Sequence, residues 1–144
     1  MSSHRIRRFM TPSPHTITTR HTLAEAHQAM RERGVRHLPV LDDGRLVGVV
    51  SQRDLYLLET LECVDPGVEV VAEAMVQDPY AVPPDAPLEE VASAMAASKF
   101  GCAVVVDRGA VIGLFTTVDA LRALAAVVRR RRARAGEGGS PREA

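Results

Sequence analysis

The stretch VRHLPVLDDGRLVGVVSQRDL, residues 35–55, decides the fold of this chain. Two runs rich in branched apolar residues, His37–Leu41 and Leu46–Ser51, flank the turn-forming sequence Asp42-Asp43-Gly44. An Asp-Gly turn between two such runs is typical of a β-hairpin. The sequence therefore predicts two antiparallel strands, followed by a helix over Gln52–Leu61, where Leu55, Leu58 and Leu61 recur at helical spacing.

The same pattern returns 65 residues later as FGCAVVVDRGAVIGLFTTVDA, residues 100–120. Strands are predicted over Cys102–Val106 and Val111–Thr116, and a second closing helix runs from Thr117 to about Arg132. Shifted by 65, the chain aligns on itself without a gap from Met10 to Leu61. Identical residues recur along this alignment, at Met10/Met75, Pro14/Pro79, Leu23/Leu88, Glu25/Glu90, Ala29/Ala94, Met30/Met95, Val40/Val105, Asp42/Asp107, Gly44/Gly109, Gly48/Gly113 and Asp54/Asp119. We infer two copies of one unit.

Each copy begins with a short extended piece and a helix. The extended pieces are His15–Thr18 and Tyr80–Pro83. Thr22 and Glu25 have the spacing of a capping box at the start of the first helix. Pro87 suits the first turn of the matching helix, where its missing N–H costs nothing. The repeating unit is therefore predicted to be β-α-β-β-α.

The predicted fold class is α/β (α+β), with two β-α-β-β-α repeats packed sheet to sheet about a pseudo-twofold axis. A unit of about 60 residues buries too little surface to be stable alone, so the copies are expected to cover each other's open faces. The predicted organisation is a first repeat over 1–61, a linker and lead-in over 62–74, a second repeat over 75–128, and a basic helix end with a disordered tail over 129–144. The Gly, Ser, Pro, Glu and Arg composition from Ala135 onward underlies the predicted disorder.

The 144 residues carry 18 basic and 18 acidic side chains, so the formal net charge is zero. This balance gives no reason to expect a nucleic-acid partner. The chain contains no run near the roughly 20 apolar residues of a membrane span, and no apolar run follows the basic N-terminus. A cytoplasmic location is therefore expected. There the two distant cysteines, Cys63 and Cys102, are expected to be reduced, with one disulfide as the alternative, and no metal site is expected.

The sequences Ser51-Gln52-Arg53-Asp54 and Thr116-Thr117-Val118-Asp119 each begin a predicted helix. Ser/Thr-x-x-Asp is an ordinary helix cap, and the spacing alone favours that interpretation. The same residues also suit a nucleoside, because a carboxylate can accept hydrogen bonds from both hydroxyls of a ribose edge. The helix N-terminus favours phosphate, and Gly48 and Gly113 are expected to leave room for a ligand near the backbone. The two roles can coexist.

Residues 35–55, with the opening Met10-Thr11-Pro12 and Thr22–Ala26, resemble a CBS domain, the regulatory module named after cystathionine β-synthase. The second copy resembles it more loosely, and together the copies cover Met10–Val128. The resemblance implies a tandem CBS pair, or Bateman module, that binds an adenosine compound in the clefts between the repeats. It also implies a flat homodimer. The family's Gly-h-x-Ser/Thr-x-x-Asp ribose motif, in which h is hydrophobic, is present twice, at 48–54 and 113–119.

The resemblance also implies positions for the base and the phosphate. By position the base lies against Pro14, His15 and Thr16 in the first copy, and against Pro79, Tyr80 and Ala81 in the second. Arg36 and His37 stand where the family often places phosphate contacts, with Arg53 and Arg20 as further candidates. The matching positions in the second copy, Gly101 and Cys102, carry no charge. The two clefts are therefore expected to differ, with Asp54 favoured for a phosphorylated ligand.

Each of these residues also has a plain structural interpretation. Arg36 and Arg53 are equally well explained as solvated rim charges, His37 as a structural histidine, and Tyr80 as a core residue. The arginine run from Arg129 to Arg134 is interpreted as the solvated end of the last helix. The two alternatives are contact with a nucleic acid or other anionic partner and attachment to a membrane surface.

The sequence leaves two classes of function. The first is a non-enzymatic sensor of an adenosine ligand, among AMP, ADP, ATP, S-adenosylmethionine and NAD, that signals to a separate effector protein. The second is a ligand-blind scaffold that dimerises or docks on another protein. No pattern of a nucleophile with its base, or of a phosphate-cradling glycine loop, predicts an enzyme or a catalytic cofactor.

Overall fold

The computed structural model describes residues 4–138, which form eight strands and four α-helices. Short 3-10 turns at Ile6–Arg8 and Val71–Glu73 precede the two halves. The elements of the first half are β1 (Thr11–Pro12), β2 (Ile17–Thr18), α1 (Leu23–Arg33), β3 (His37–Asp42), β4 (Arg45–Ser51) and α2 (Gln52–Glu62). Those of the second half are β5 (Val76–Gln77), β6 (Ala81–Val82), α3 (Leu88–Ser98), β7 (Cys102–Asp107), β8 (Ala110–Thr116) and α4 (Thr117–Gly138).

The predicted repeat is confirmed, and three pairs of elements match in their exact bounds. Adding 65 to the bounds of α1, β3 and β4 gives the bounds of α3, β7 and β8. Even the irregularity in strand pairing recurs, between Val40 and Leu41 in one hairpin and between Val105 and Val106 in the other. The two halves therefore share one backbone plan down to the bulge.

The start of α1 is set by the predicted capping box. The backbone N–H of Glu25 donates to Thr22 Oγ1 over 3.1 Å, and the Glu25 carboxylate accepts from the Thr22 N–H over 2.9 Å. Gly34 ends the helix in the left-handed conformation that glycine adopts without strain. In the second half Pro87 was expected in the first turn of the helix. It is instead the N-cap of α3, one position before that turn.

Each half contributes a four-stranded sheet. The lead-in segment of each repeat, residues 6–12 or 71–77, crosses to the sheet of the other repeat. The strand orders are β1-β8-β7-β6 and β2-β3-β4-β5. Thus β1, from the start of the chain, pairs with β8 of the second repeat. Likewise β5, from the start of the second repeat, pairs with β4 of the first. The sequence did not predict these two-residue strands.

The sheets pack against each other as predicted. Cys102, Val104 and Leu114 are buried at this contact, with Leu46 and Val49 of the first repeat packed against them. A separate core lies in each half, with Phe115 buried in that of the second repeat and Leu38 in that of the first. The sheet-to-sheet contact joins these cores into the mixed α/β fold that the sequence predicted.

The two 3-10 turns belong to the core of the opposite repeat. Ile6 is fully buried among residues of the second repeat, and its backbone N–H donates to the carbonyl of Ala86 over 2.9 Å. Val71 is fully buried in the core of the first repeat, and its N–H donates to the carbonyl of His21 over 2.7 Å. The sheets and cores therefore cross the boundaries drawn from the sequence at 1–61 and 75–128.

The last helix is longer and more exposed than expected. It continues past Arg132 through Gly138, so Ala135–Gly138, expected to be disordered, is helical, and the rest of the tail lies outside the described residues. The apolar face predicted for α4 points away from the core, since Leu121 is 66% and Leu124 60% exposed while Ala123 is buried. No helix among residues 4–138 is long and apolar enough to cross a membrane.

Candidate ligand clefts

Two clefts lie between the repeats, and each contains one of the predicted ribose carboxylates. The Asp119 cleft has a volume of about 590 Å³. Its lining includes Thr11, Pro14, His15, Arg33, Arg36, His37, Thr116, Asp119 and Arg122. The Asp54 cleft has a volume of about 730 Å³. Its lining includes Arg36, His37, Ser51, Arg53, Asp54, Leu57, Val76, Pro79, Tyr80, Lys99, Phe100, Gly101 and Cys102. Both volumes are in the range of small-molecule sites.

Each cleft combines the carboxylate of one repeat with the predicted base segment of the other. Asp119 shares its cleft with Pro14 and His15, while Asp54 shares its cleft with Pro79 and Tyr80. The sequence assigned each base segment to the carboxylate of its own repeat. In the structure each base segment lies in the cleft that holds the carboxylate of the other repeat. The crossing follows from the sheets, because the lead-in of each repeat lies on the sheet of the other.

Asp54 is held by its helix cap through one oxygen. Its Oδ2 accepts from the Ser51 backbone N–H over 2.9 Å, and its own N–H donates to Ser51 Oγ over 3.0 Å. Among the described residues, no hydrogen bond is made to the other carboxylate oxygen, Oδ1. The cap interpretation is therefore confirmed at this site, and it leaves one acceptor available on the half-buried side chain.

Asp119 makes the same cap and additional contacts. Its Oδ2 accepts from the Thr116 N–H over 2.9 Å. Its Oδ1 accepts from the Thr11 hydroxyl over 3.1 Å and lies 3.6 Å from the Arg122 guanidinium. Asp119 is only 4% exposed. Both of its carboxylate oxygens therefore already have partners.

Arg36 and His37 line both clefts, so they do not distinguish them in the way the sequence implied. His37 lies at the boundary between the repeats, where a Cβ added to Gly101 would come within 2.8 Å of its Nε2. Further cations separate the clefts instead. Arg33 and Arg122 line only the Asp119 cleft, and Arg53 and Lys99 line only the Asp54 cleft.

The two glycines of the ribose motifs lie against methionine side chains and leave no open space for a ligand. A Cβ at Gly48 would lie 2.7 Å from Met75 Sδ and 2.8 Å from the carbonyl oxygen of Val76. A Cβ at Gly113 would collide with the side chain of Met10. Neither glycine lines a cleft, so both positions serve the close approach of the crossed lead-in segments.

The remaining predicted residues divide between the Asp54 cleft and the body of the protein. Tyr80 stacks on Phe100 with ring centroids 5.3 Å apart, and both line the Asp54 cleft. Buried Cys102 lines it too, whereas Thr16, Ala81 and Arg20 line neither cleft. The aromatic pair has no counterpart among the residues that line the Asp119 cleft.

Burial shifts the protonation of two residues at matching positions in the repeats. Burial lowers the pKa of His37, nearby Asp54 partly opposes this shift, and Arg36 adds to it. Burial, with a smaller contribution from Asp54, raises the pKa of the Cys102 thiol to about 12. Cys102 is therefore a protonated thiol at neutral pH, and both described cysteines are free.

Sequence reasoning missed several cleft residues, chiefly Thr11, Val76, Phe100, Arg33 and Arg122. Thr11 and Val76 lie at matching positions, 65 residues apart, on the crossed strands β1 and β5. The sequence repeat shows that the two positions correspond. It gives no signal that each strand reaches the cleft of the other repeat's carboxylate. That information is carried by the pairing of Thr11 with Leu114 and of Val76 with Val49.

Comparisons with known proteins place this chain in a family. The CBS domain model matches residues 6–58 and again residues 71–126. The inosine-5'-monophosphate dehydrogenase of Korarchaeum cryptofilum is 35% identical over 105 residues, which cover 72% of this chain. The chain spans only 21% of the length of that relative.

Solved structures match over nearly the whole chain. AcuB of Vibrio cholerae, named an acetoin utilization protein, superimposes with a TM-score of 0.79 at 31% identity, covering 95% of this chain and 98% of AcuB. CBSX2 of Arabidopsis thaliana, in complex with AMP, gives a TM-score of 0.75 at 31% identity, covering 87% of this chain and 98% of CBSX2. With two matches to the family model and two crossed β-α-β-β-α repeats, the chain belongs to the CBS domain family as a tandem CBS pair.

Proposed function

We propose that this protein is a regulatory module that binds an adenosine nucleotide or derivative between its repeats and signals the bound state to a separate effector protein. The observation that carries the proposal is the position of Asp54, which lies in the first turn of α2 at the wall of a cleft with one carboxylate oxygen available. The candidate ligands are AMP, ADP, ATP, S-adenosylmethionine and NAD. All five contain the adenosine ribose.

The chemistry of the Asp54 cleft suits each part of such a ligand. The free carboxylate oxygen accepts hydrogen bonds from ribose hydroxyls, which are donors. The ring of Phe100, which stacks on Tyr80 and is 41% exposed, offers a surface for an adenine base. Arg36, Arg53 and the N-terminus of α2 favour a phosphate. The AMP complex of CBSX2, a relative of the same fold, supports the choice of ligand class.

The proposal includes no catalysis by this chain and no catalytic cofactor. The cysteine in the Asp54 cleft, Cys102, has a pKa raised to about 12 and is a poor nucleophile in that state. The dehydrogenase relative is an enzyme in which the matching region is about a fifth of the chain. Its activity therefore supplies no argument for catalysis here. A nucleotide ligand and free thiols are consistent with the cytoplasmic location that we also propose.

A thermal-shift screen of the five ligands against the purified protein tests the proposal. A ligand that binds only the folded state stabilises it by about 2.7 kcal/mol at a hundredfold excess over its dissociation constant. We expect such a shift with at least one of the five. The double variant Asp54→Ala/Asp119→Ala should lose most of it, because an unpaired ribose hydroxyl costs about 1–3 kcal/mol. Melting without ligand, measured alongside, separates this loss from the loss of the helix caps.

We propose further that the protein is a homodimer. Large apolar side chains lie exposed along α2 and α4, namely Tyr56, Leu57, Leu61, Val118, Leu121, Leu124 and Val128. An exposed apolar face of this extent is typical of a surface that another protein covers. Light scattering should give a dimer of the 15.6 kDa chain at about 10 µM, a concentration above a dissociation constant of about 1 µM or less. Leu121→Asp/Leu124→Asp should shift it to the monomer.

The same exposed face supports the alternative function, a scaffold that dimerises or docks without any ligand. The thermal-shift screen separates the two functions. A dimer that responds to none of the five ligands is a scaffold. A protein whose response disappears in the double aspartate variant is a sensor.

A further inference from the structure

Two of the differences between the clefts concern residues that contact a ribose carboxylate. Thr11 of the Asp119 cleft corresponds to Val76 of the Asp54 cleft, and Arg122 corresponds to Leu57, each pair 65 residues apart. In the Asp119 cleft both residues contact the carboxylate. In the Asp54 cleft both are hydrocarbon side chains, which neither donate a hydrogen bond nor carry charge.

The Thr11 hydroxyl takes the acceptor that a ribose needs. It lies 3.1 Å from Asp119 Oδ1 and 3.3 Å from Oδ2, and the helix cap already uses Oδ2 through the Thr116 N–H and hydroxyl. A hydroxyl that donates to a carboxylate is the same interaction that a ribose hydroxyl makes. The Thr11 hydroxyl therefore competes with a ribose hydroxyl for the carboxylate of Asp119.

The backbone keeps Thr11 in this place. Strand β1 pairs with β8, so that Thr11 lies opposite Leu114, in the same register that sets Val76 opposite Val49. Arg122 adds a second contact to Asp119 Oδ1 at 3.6 Å, although its side chain is 75% exposed and this ion pair contributes little by itself. The hydroxyl of Thr11 is the main difference between the two carboxylates.

We propose that residue 11 and its counterpart, residue 76, decide which cleft binds the ribonucleoside, so that the Asp54 cleft is the higher-affinity site and Thr11 weakens the Asp119 cleft. This inference rests on the proposed function, since it assumes that an adenosine ligand binds. It assigns the difference between the clefts to a threonine outside the ribose motif. It does not depend on Arg36 or His37, which the clefts share.

Calorimetric titration with AMP tests the proposal, using the full chain and the near-isosteric exchanges Thr11→Val and Val76→Thr. The parent should bind one AMP per chain with higher affinity, and Asp54→Ala should remove that site while Asp119→Ala retains it. Thr11→Val should raise the affinity of the Asp119 cleft about tenfold, equivalent to about 1.4 kcal/mol. Asp119→Ala in the Thr11→Val background should remove the gain. Val76→Thr should lower the affinity of the Asp54 cleft about tenfold.

The outcomes separate this inference from the proposed function. Loss of the higher-affinity AMP site on Asp119→Ala but not on Asp54→Ala overturns the inference and leaves the proposed function standing. Weaker binding in Thr11→Val also overturns it, since Thr11 would then be a ligand contact. If AMP and the other four adenosine ligands bind neither the parent nor Thr11→Val, the proposed function fails and the inference fails with it. Melting of each variant without ligand confirms that it is folded.

Discussion

Asp54 and Asp119 occupy the same position in the two repeats, three residues after the Ser or Thr that caps a helix. Asp54 is half-buried and shares a cleft with an aromatic pair, whereas Asp119 is 4% exposed and accepts from Thr11. The backbones around them match element for element. The repeated backbone therefore places a carboxylate at the same position in both repeats, but the side chains around the two carboxylates differ.

The difference in hydrogen bonding between the two carboxylates comes from the segments that cross between the repeats. Residues 6–12 complete the sheet and core of the second repeat, and residues 71–77 complete those of the first. Each crossing segment ends in the cleft that holds the carboxylate of the repeat that it joins. Changes in a short lead-in thus alter one cleft and leave the helix that carries its carboxylate unchanged.

The largest expected effect tests whether the N-terminal segment is part of the second repeat. Ile6 is fully buried in that core, so Ile6→Ala should lower the free energy of unfolding by about 2–5 kcal/mol. Exposed Arg8, in the same turn, provides the matched control, and Arg8→Ala should stay within about 0.5 kcal/mol of the parent. Urea unfolding measures both. If Ile6→Ala behaves like Arg8→Ala, the segment does not contribute to the core.

The sequence predicted all the long elements, because the signals for them are local. The Asp-Gly turns, the Thr22–Glu25 capping box and the apolar spacing of the helices each lie within a few residues. The crossed pairing of β1 and β5 was not predictable in this way. Each strand has two residues and no periodicity, and its partner lies in the other repeat. Thr11, the residue that most distinguishes the clefts, was missed for that reason.

The two glycines of the ribose motifs give a second comparison between the repeats. An added Cβ at Gly48 meets the backbone oxygen of Val76 as well as the Met75 side chain, whereas at Gly113 the nearest atoms all belong to the flexible side chain of Met10. Gly48→Ala should therefore destabilise the protein by about 1–3 kcal/mol, and Gly113→Ala by less. Thermal unfolding of the pair measures the difference. Equal losses would show that β5 and Met10 move aside with equal ease.

The shared cations provide a smaller test, on binding. Arg36 lines both clefts and Arg53 only one, so the two arginines should act differently in Thr11→Val, where we expect two AMP sites. Arg36→Gln should weaken both sites by up to about fivefold, and Arg53→Gln only the site that Asp54→Ala removes. Calorimetry resolves the two affinities. A uniform loss for Arg53→Gln, or no loss for Arg36→Gln, contradicts the placement of these side chains.

The smallest expected effect concerns His37 and Cys102, which lie at matching positions and respond to pH in different ranges. Burial lowers the pKa of His37, so the unfolded chain binds a proton at this residue more readily than the folded protein does. The contribution of His37 to stability is therefore fully present above its unfolded pKa of about 6.5 and decreases as pH falls toward the folded value. Cys102 has a pKa of about 12 and does not titrate in this range.

Unfolding free energies measured from about pH 8 down to pH 5 should separate the two residues. His37→Gln should flatten the decrease in stability below about pH 6.5, because glutamine does not titrate. Cys102→Ala provides the control at the matching position and should keep the slope of the parent, even if its absolute stability is lower. The informative quantity is the difference in slope between variant and parent. Parallel curves for His37→Gln and the parent would show that the imidazole at the boundary between the clefts is as easily protonated in the folded protein as in the unfolded chain.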